Sequence, residues 1–242
     1  VDGTVVDIGG EAMDSPGYDL LALIVGSEGQ LGIVTEITVR ILRAAEGARP
    51  VLFGFPSSEQ AGACVAAIIG AGIIPVAMEF MDKLAIEICE AYAKAGYPLD
   101  VDALLIIEVE GSEAEMEAAL AKIVAIARQH GVSTIRESKS AMETAAIWKG
   151  RKSAFGATGR IADYICMDGT IPTGQLPLVL RRMDEITKFY GPQIHRHHLV
   201  GPSHIEFHIF APCSIHSFDA MLYHGAIAAN TTRFRVIDSF GT

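Results

Sequence analysis

A chain of 242 residues, half of them hydrophobic, can bury one large core or two small ones. With 29 Asp and Glu against 19 Lys and Arg, and no basic run or basic-aromatic stripe, nucleic acid is not expected as a partner. The apolar runs are too short and too glycine-rich to span a bilayer and no signal-peptide layout opens the chain, so a cytoplasmic location is expected.

The chain opens on Asp2-Gly3, which reads as a hairpin turn entering a short strand. A strand with no earlier partner suggests that the first residue is a cut inside a larger sheet. Residues 20–39, LLALIVGSEGQLGIVTEITV, look like apolar strands interrupted by Gly26, Gly29 and Gly32. Glycine permits positive φ and close approach, and backbone N–H groups in such a turn can bind anionic or polar groups. Spacing alone favours a tight bend with bulges at a sheet corner. It is not a Rossmann fingerprint, because the glycine order is wrong and IVTEITVR continues as strand instead of opening a helix.

Residues 44–50 look like a junction, and from about residue 50 strands alternate with helices, which argues for a layered sheet-plus-helix domain. Strands are expected at 51–56, 75–82, 103–111, in VSTIRES and in ADYICMD. Ser57-Ser58 caps a helix to about Ala71, and a second helix runs from about Lys83 to Ala95, closed by Gly96 and Pro98. Ser112 and Glu115 form a capping box for a helix to about Gln129. A helix from about Ser140 carries Trp148, Arg151 and Lys152, and an amphipathic helix fills 176–191. Cys64 and Cys89 fall on apolar helical faces and read as reduced core thiols; none of the four cysteines forms a C-x-x-C pair.

Seven of the eight histidines lie in residues 195–224, a tail with no clear period. His204 and His208 are four apart, the spacing of a zinc pair on a helix, but HIEFHIF is β-branched and aromatic and reads better as a strand. No metal site is assigned.

DSPGYDLLALIVGSEGQLGIVTEITVRIL, residues 14–42, resembles the end of the FAD-binding domain in the vanillyl-alcohol-oxidase (PCMH-type) flavoproteins. It is most similar to the glycolate oxidase and D-lactate dehydrogenase branch of that family. Gln30 stands where Thr is usual. Residues 50–191, including IWKGRKSAFGATGRIADYICMDGTIPTGQLPLVL, resemble the same family's C-terminal cap domain.

The resemblance implies an α+β fold. Residues 1–45 would be the end of a PCMH-type FAD-binding domain, 50–191 a cap of antiparallel sheet and helices, and 192–242 a divergent histidine-rich tail. The family's H-x-G-D-G-N-x-H and G-E-H-G segments are not readable there, so a frame-shifted or altered translation from about residue 192 is expected. FAD is the implied cofactor, lined by Gly26, Ser27, Glu28, Gly29, Gln30, Gly32, Ile33 and Val34. Arg151 stands where relatives grip the substrate carboxylate, with Lys152 beside it. Fifteen residues on, relatives that use 2-hydroxydicarboxylic acids carry Lys; Cys166 here points to a monocarboxylic acid. The implied activity is hydride transfer from a small 2-hydroxy acid, glycolate or D-lactate, to flavin, in a homo-oligomer or beside other oxidase subunits. No catalytic base is named. Without the resemblance, Arg151 reads as part of a solvated basic face and Trp148 as packing. The alternative is a catalytically incompetent cap fragment acting as a folded subunit or interaction module, and this chain alone is expected to be inactive.

Overall fold

In residues 47–111 the apolar side chains occupy both faces of their strands, so the sheet they form must be covered on both sides. The structure, a computed structural model, describes residues 3–10, 17–41, 43–161, 164–190, 195–200 and 204–212, without the side chains of 164–170, 187–190 and the last two segments. It divides into two units, 1–44 and 45–242.

In the first unit the regular element among the described residues is α1 (Leu20–Ile24), started by Asp19, whose Oδ1 accepts from the Ala22 N–H at 3.0 Å. The strands expected after Asp2-Gly3 and on either side of the glycines are not formed: α1 takes the place of the first apolar stretch, and 33–41 has no regular structure. A strand persists through its ladder partners, and the described residues of this unit offer none. Ile33, Ile37, Val39 and Ile41 keep the period of two of a strand, yet all are exposed.

The second unit contains, in chain order, β1 (Gly47–Phe55), α2 (Ser58–Gly70), β2 (Ala77–Asp82), α3 (Lys83–Ala93), β3 (Ala103–Gly111), α4 (Glu113–Gln129) and β4 (Thr134–Glu137). These are followed by α5 (Ala141–Lys152), α6 (Ala154–Thr158), β5 (Tyr164–Pro172), a 3-10 turn (Thr173–Gln175), α7 (Leu176–Tyr190), β6 (His195–Val200) and β7 (His204–Pro212). The strands form one sheet in the order β4-β1-β3-β2-β6-β7-β5, and every pairing is antiparallel. On one face Val51, Phe53, Phe55, Phe80, Leu105 and Ile107 pack under α2, α4 and α7. On the other, Leu52, Met81, Leu104 and Ile106 pack with Ile86 and Cys89 of α3, Ile147 of α5 and Ala154 of α6. Phe53, Phe55 and Phe80 are fully buried, each stabilising by about 1.5–3 kcal/mol.

Local signals in the sequence set the helix starts. Ser57, Asp82, Ser112 and Ser140 each accept an N–H of the first turn, and Ser112 with Glu115 completes the capping box. Helix α3 stops at Ala93, within two residues of the expected end, with Lys94 left-handed at φ 50° and Gly96 at φ 76°; in the turn that follows, the Glu90 carboxylate takes the N–H groups of Gly96 and Tyr97 and Arg136 donates to the Gly96 carbonyl. HIEFHIF is the strand β7, as its composition suggests; Cys166 lies on β5, and residues 213–242 are outside the described residues. Cys64 and Cys89 are free and buried. Among the described residues no helix is long and apolar enough to cross a membrane.

Candidate functional site

The glycine loop follows directly from α1. The Val25 N–H closes the helix on the Leu21 carbonyl, then Ser27 N–H donates to Ile24 and Gln30 N–H to Ser27, each bond at 3.0 Å. These successive turns require left-handed backbone at Gly26 (φ 82°), Glu28 (φ 53°) and Gly29 (φ 76°). Glycine adopts that conformation without penalty, whereas at Glu28 it costs roughly 1 kcal/mol or more. A Cβ placed on Gly26, Gly29 or Gly32 would meet no atom within 4 Å, so the backbone is open to a ligand. Gln30, Gly32, Ile33 and Val34 are exposed and Ser27 is half-buried. Left-handed residues in such turns can leave backbone N–H groups open to polar or anionic groups. The exposed Glu28 carboxylate sits on the same loop, so an anionic group would be received by backbone and not by that side chain.

The second candidate lies in the other unit. Helix α5 begins at Ser140, whose hydroxyl accepts from Glu143 N–H at 3.2 Å, and ends with Lys149, Arg151 and Lys152 in its last turn, the favourable end for cations. Lys152 is exposed. Arg151 points back onto the sheet, where its Nε–H and Nη2–H both reach Oε2 of Glu79 on β2, each at 2.9 Å. Both side chains are only 11 % exposed, so Arg151 is not part of a solvated basic face. Three residues earlier on the same helix face, Trp148 Nε1–H donates to Oε1 of Glu108 on β3 at 3.0 Å. Two carboxylates on neighbouring strands thus receive two side chains one helical turn apart.

The surroundings of the pair are apolar. Burial pushes the Glu79 carboxyl above its ordinary range, opposed by the charge and hydrogen bonds of Arg151. Burial also pushes the Cys89 thiol up to about 11 and raises the Tyr97 hydroxyl. That hydroxyl donates to the Ile147 carbonyl at 2.5 Å and is packed against Gly150, whose missing side chain lets α5 come close.

A guanidinium has five N–H donors. Glu79 occupies the Nε–Nη2 edge of Arg151, and the N–H groups of the terminal fork, on Nη1 and the far side of Nη2, have no partner among the described residues. It is also not sealed off, since Thr173 Oγ1 is the buried side-chain polar atom without a partner among them. That fork is the geometry that binds a carboxylate through two parallel hydrogen bonds. Glu79 and Glu108 belong to no motif in the sequence. Each is an acid flanked by apolar residues in its strand, Met78-Glu79-Phe80 and Ile107-Glu108-Val109, and a carboxylate held among such neighbours demands a partner. Among the described residues no group of three His, Cys, Asp or Glu could hold a metal ion.

Residues 45–218 match the family described as FAD linked oxidases, C-terminal domain; the match continues past residue 192, where the histidine-rich tail begins. The chain is 44 % identical over 195 residues to the glycolate oxidase subunit GlcD of Escherichia coli K12, covering 80 % of this chain and 39 % of that protein. It is 27 % identical over 212 residues to a D-lactate dehydrogenase of Archaeoglobus fulgidus, covering 86 % and 46 %. The chain thus spans less than half the length of these relatives. Among solved structures, an alkyldihydroxyacetonephosphate synthase superposes with a TM-score of 0.63 over 88 % of this chain and 46 % of the other, at 15 % identity, a likeness of fold.

Proposed function

The chain belongs to the family of FAD-linked oxidases, matching its C-terminal domain, and from that premise we propose that it forms the substrate-binding part of an FAD-dependent oxidoreductase acting on a small 2-hydroxy acid of the glycolate or D-lactate type. The observation that carries this reading is Arg151: a nearly buried guanidinium whose terminal fork faces no protein partner among the described residues. Such a fork holds a carboxylate in one plane and so orients the adjacent Cα–H. Residues 26–34 would hold part of the flavin through their open backbone. When bound, FAD supplies the hydride acceptor; the protein's task is binding, orientation and exclusion of water.

The E. coli relative is a subunit by its name, which supports assembly of this chain with other oxidase subunits or with itself. The free thiols of Cys64 and Cys89 suit a reducing compartment, the cytoplasm. The ion pair to Glu79 also favours a second reading, in which Arg151 only ties α5 to the sheet.

One substitution separates the two. Arg151→Lys removes the planar fork and keeps the charge, and should raise KM for glycolate or D-lactate by about 10- to 100-fold in the flavin-bound protein, with flavin content unchanged. An unchanged KM would leave Arg151 as a tether and remove it from the substrate site.

A further inference from the structure

Resting on the reading of Arg151 as the carboxylate clamp, we propose that Glu79 is the positioning residue of that clamp: it takes the Nε–Nη2 edge of the guanidinium and thereby aims the Nη1–Nη2 fork at the substrate. Arg carries a long, flexible stem, and a fork that must meet a carboxylate in one plane works only when that stem is fixed. Here both bonds converge on one oxygen, Oε2, at 2.9 Å, from a strand that lies between β3 and β6 in the sheet. The anchor is therefore rigid, and it acts on the edge that a bound carboxylate would not use.

Stability alone does not account for the pair. A buried ion pair is worth little against apolar residues of the same volume, because both charges lose their hydration. Helix α5 is already held by the Trp148–Glu108 bond, the Tyr97–Ile147 bond, and the buried Ile147 itself. A third, more costly tie at Arg151 adds orientation where orientation has a use. Nor is charge the purpose, since Glu79 offsets the attraction of Arg151 for a second carboxylate.

The test compares Glu79→Asp, which keeps the charge but withdraws the carboxylate by one methylene, with Glu79→Gln, which keeps the reach and an acceptor oxygen. KM and kcat for glycolate are measured in the flavin-bound protein, and the Arg151 Nε–H signal is followed by NMR in the 15N-arginine-labelled chain. If Glu79 positions the fork, Asp raises KM by about tenfold or more and loses the slowly exchanging Nε–H signal, while Gln retains the signal and raises KM only about threefold. KM within twofold of wild type in the Asp variant, with the Nε–H signal lost, overturns the proposal. Should Asp prevent folding, Gln decides alone: an unchanged KM with a fast-exchanging Nε–H overturns it. Arg151→Lys in parallel separates the two layers. Unchanged KM there sinks the clamp itself, whereas a raised KM there with indifferent Glu79 variants sinks only the positioning role.

Discussion

Replacing Gly150 with Ala sets two effects against each other. In an exposed helix the change would stabilise by about 1 kcal/mol. On α5 the new Cβ would lie 2.6 Å from Cζ of Tyr97 and 2.8 Å from Cβ of Ala95, where ordinary contact begins at 3.4 Å. Tyr97 cannot step aside, because it is 4 % exposed and its hydroxyl is bonded to the Ile147 carbonyl. Helix α5 must move instead. Overpacking of this kind costs roughly 1–3 kcal/mol, and a buried hydroxyl pulled off its acceptor a further 1–3 kcal/mol. Set against the helix gain, the net loss is about 1–5 kcal/mol. The assay is urea unfolding followed by fluorescence of Trp148, the single tryptophan, which sits on the helix that must shift. A lower midpoint with altered native emission is expected. A raised midpoint with unchanged emission would refute the close approach of α5 to Tyr97, and with it the placement of Arg151.

Burial pushes the Cys64 thiol up to about 12 and Cys89 to about 11, from an ordinary 9.0. The folded chain then keeps protons that the unfolded chain releases, so these thiols contribute full stability below pH 9 and lose it as pH rises toward 11 and 12. A stability-against-pH series that stays flat over that range would contradict their burial, as would alkylation of both thiols in the native protein at neutral pH. In the other unit, Gly29→Val places a branched side chain at φ 76° and on the open side of the loop. Flavin content should fall while the unfolding midpoint of residues 45–242 is unchanged; full flavin content would make the loop structural only.

Most of the second unit is legible in the sequence because its signals are local. The capping residues Ser112 and Glu115 and the short apolar run of ALLIIEVEG need nothing beyond neighbouring residues, and α4 and β3 lie where those signals put them. What is not legible depends on distant partners. The turn after α3 is tied by Arg136, 40 residues on, which donates to the Gly96 carbonyl. Strand β6 has no side-chain period and forms by pairing with β2 and β7. In the first unit the period of two at Ile33, Ile37, Val39 and Ile41 reads as strand, but alternation supplies no ladder. For the site, the position of Arg151 comes from resemblance, while its partner Glu79, 72 residues away, comes from the fold. The clue present in the sequence is an acid in a strand too apolar to leave it unpaired.

The central claim is that Arg151 binds the carboxylate of a small 2-hydroxy acid so that its hydride can pass to flavin. Its most direct test is anaerobic addition of glycolate, then D-lactate, to a flavin-bound full-length protein that carries this chain, beside its Arg151→Lys variant. The claim predicts bleaching of the visible flavin absorbance by at least one of these acids, and a much higher half-saturating concentration in the variant. Flavin that dithionite bleaches but neither acid does would contradict it, and so would identical titrations of the two proteins.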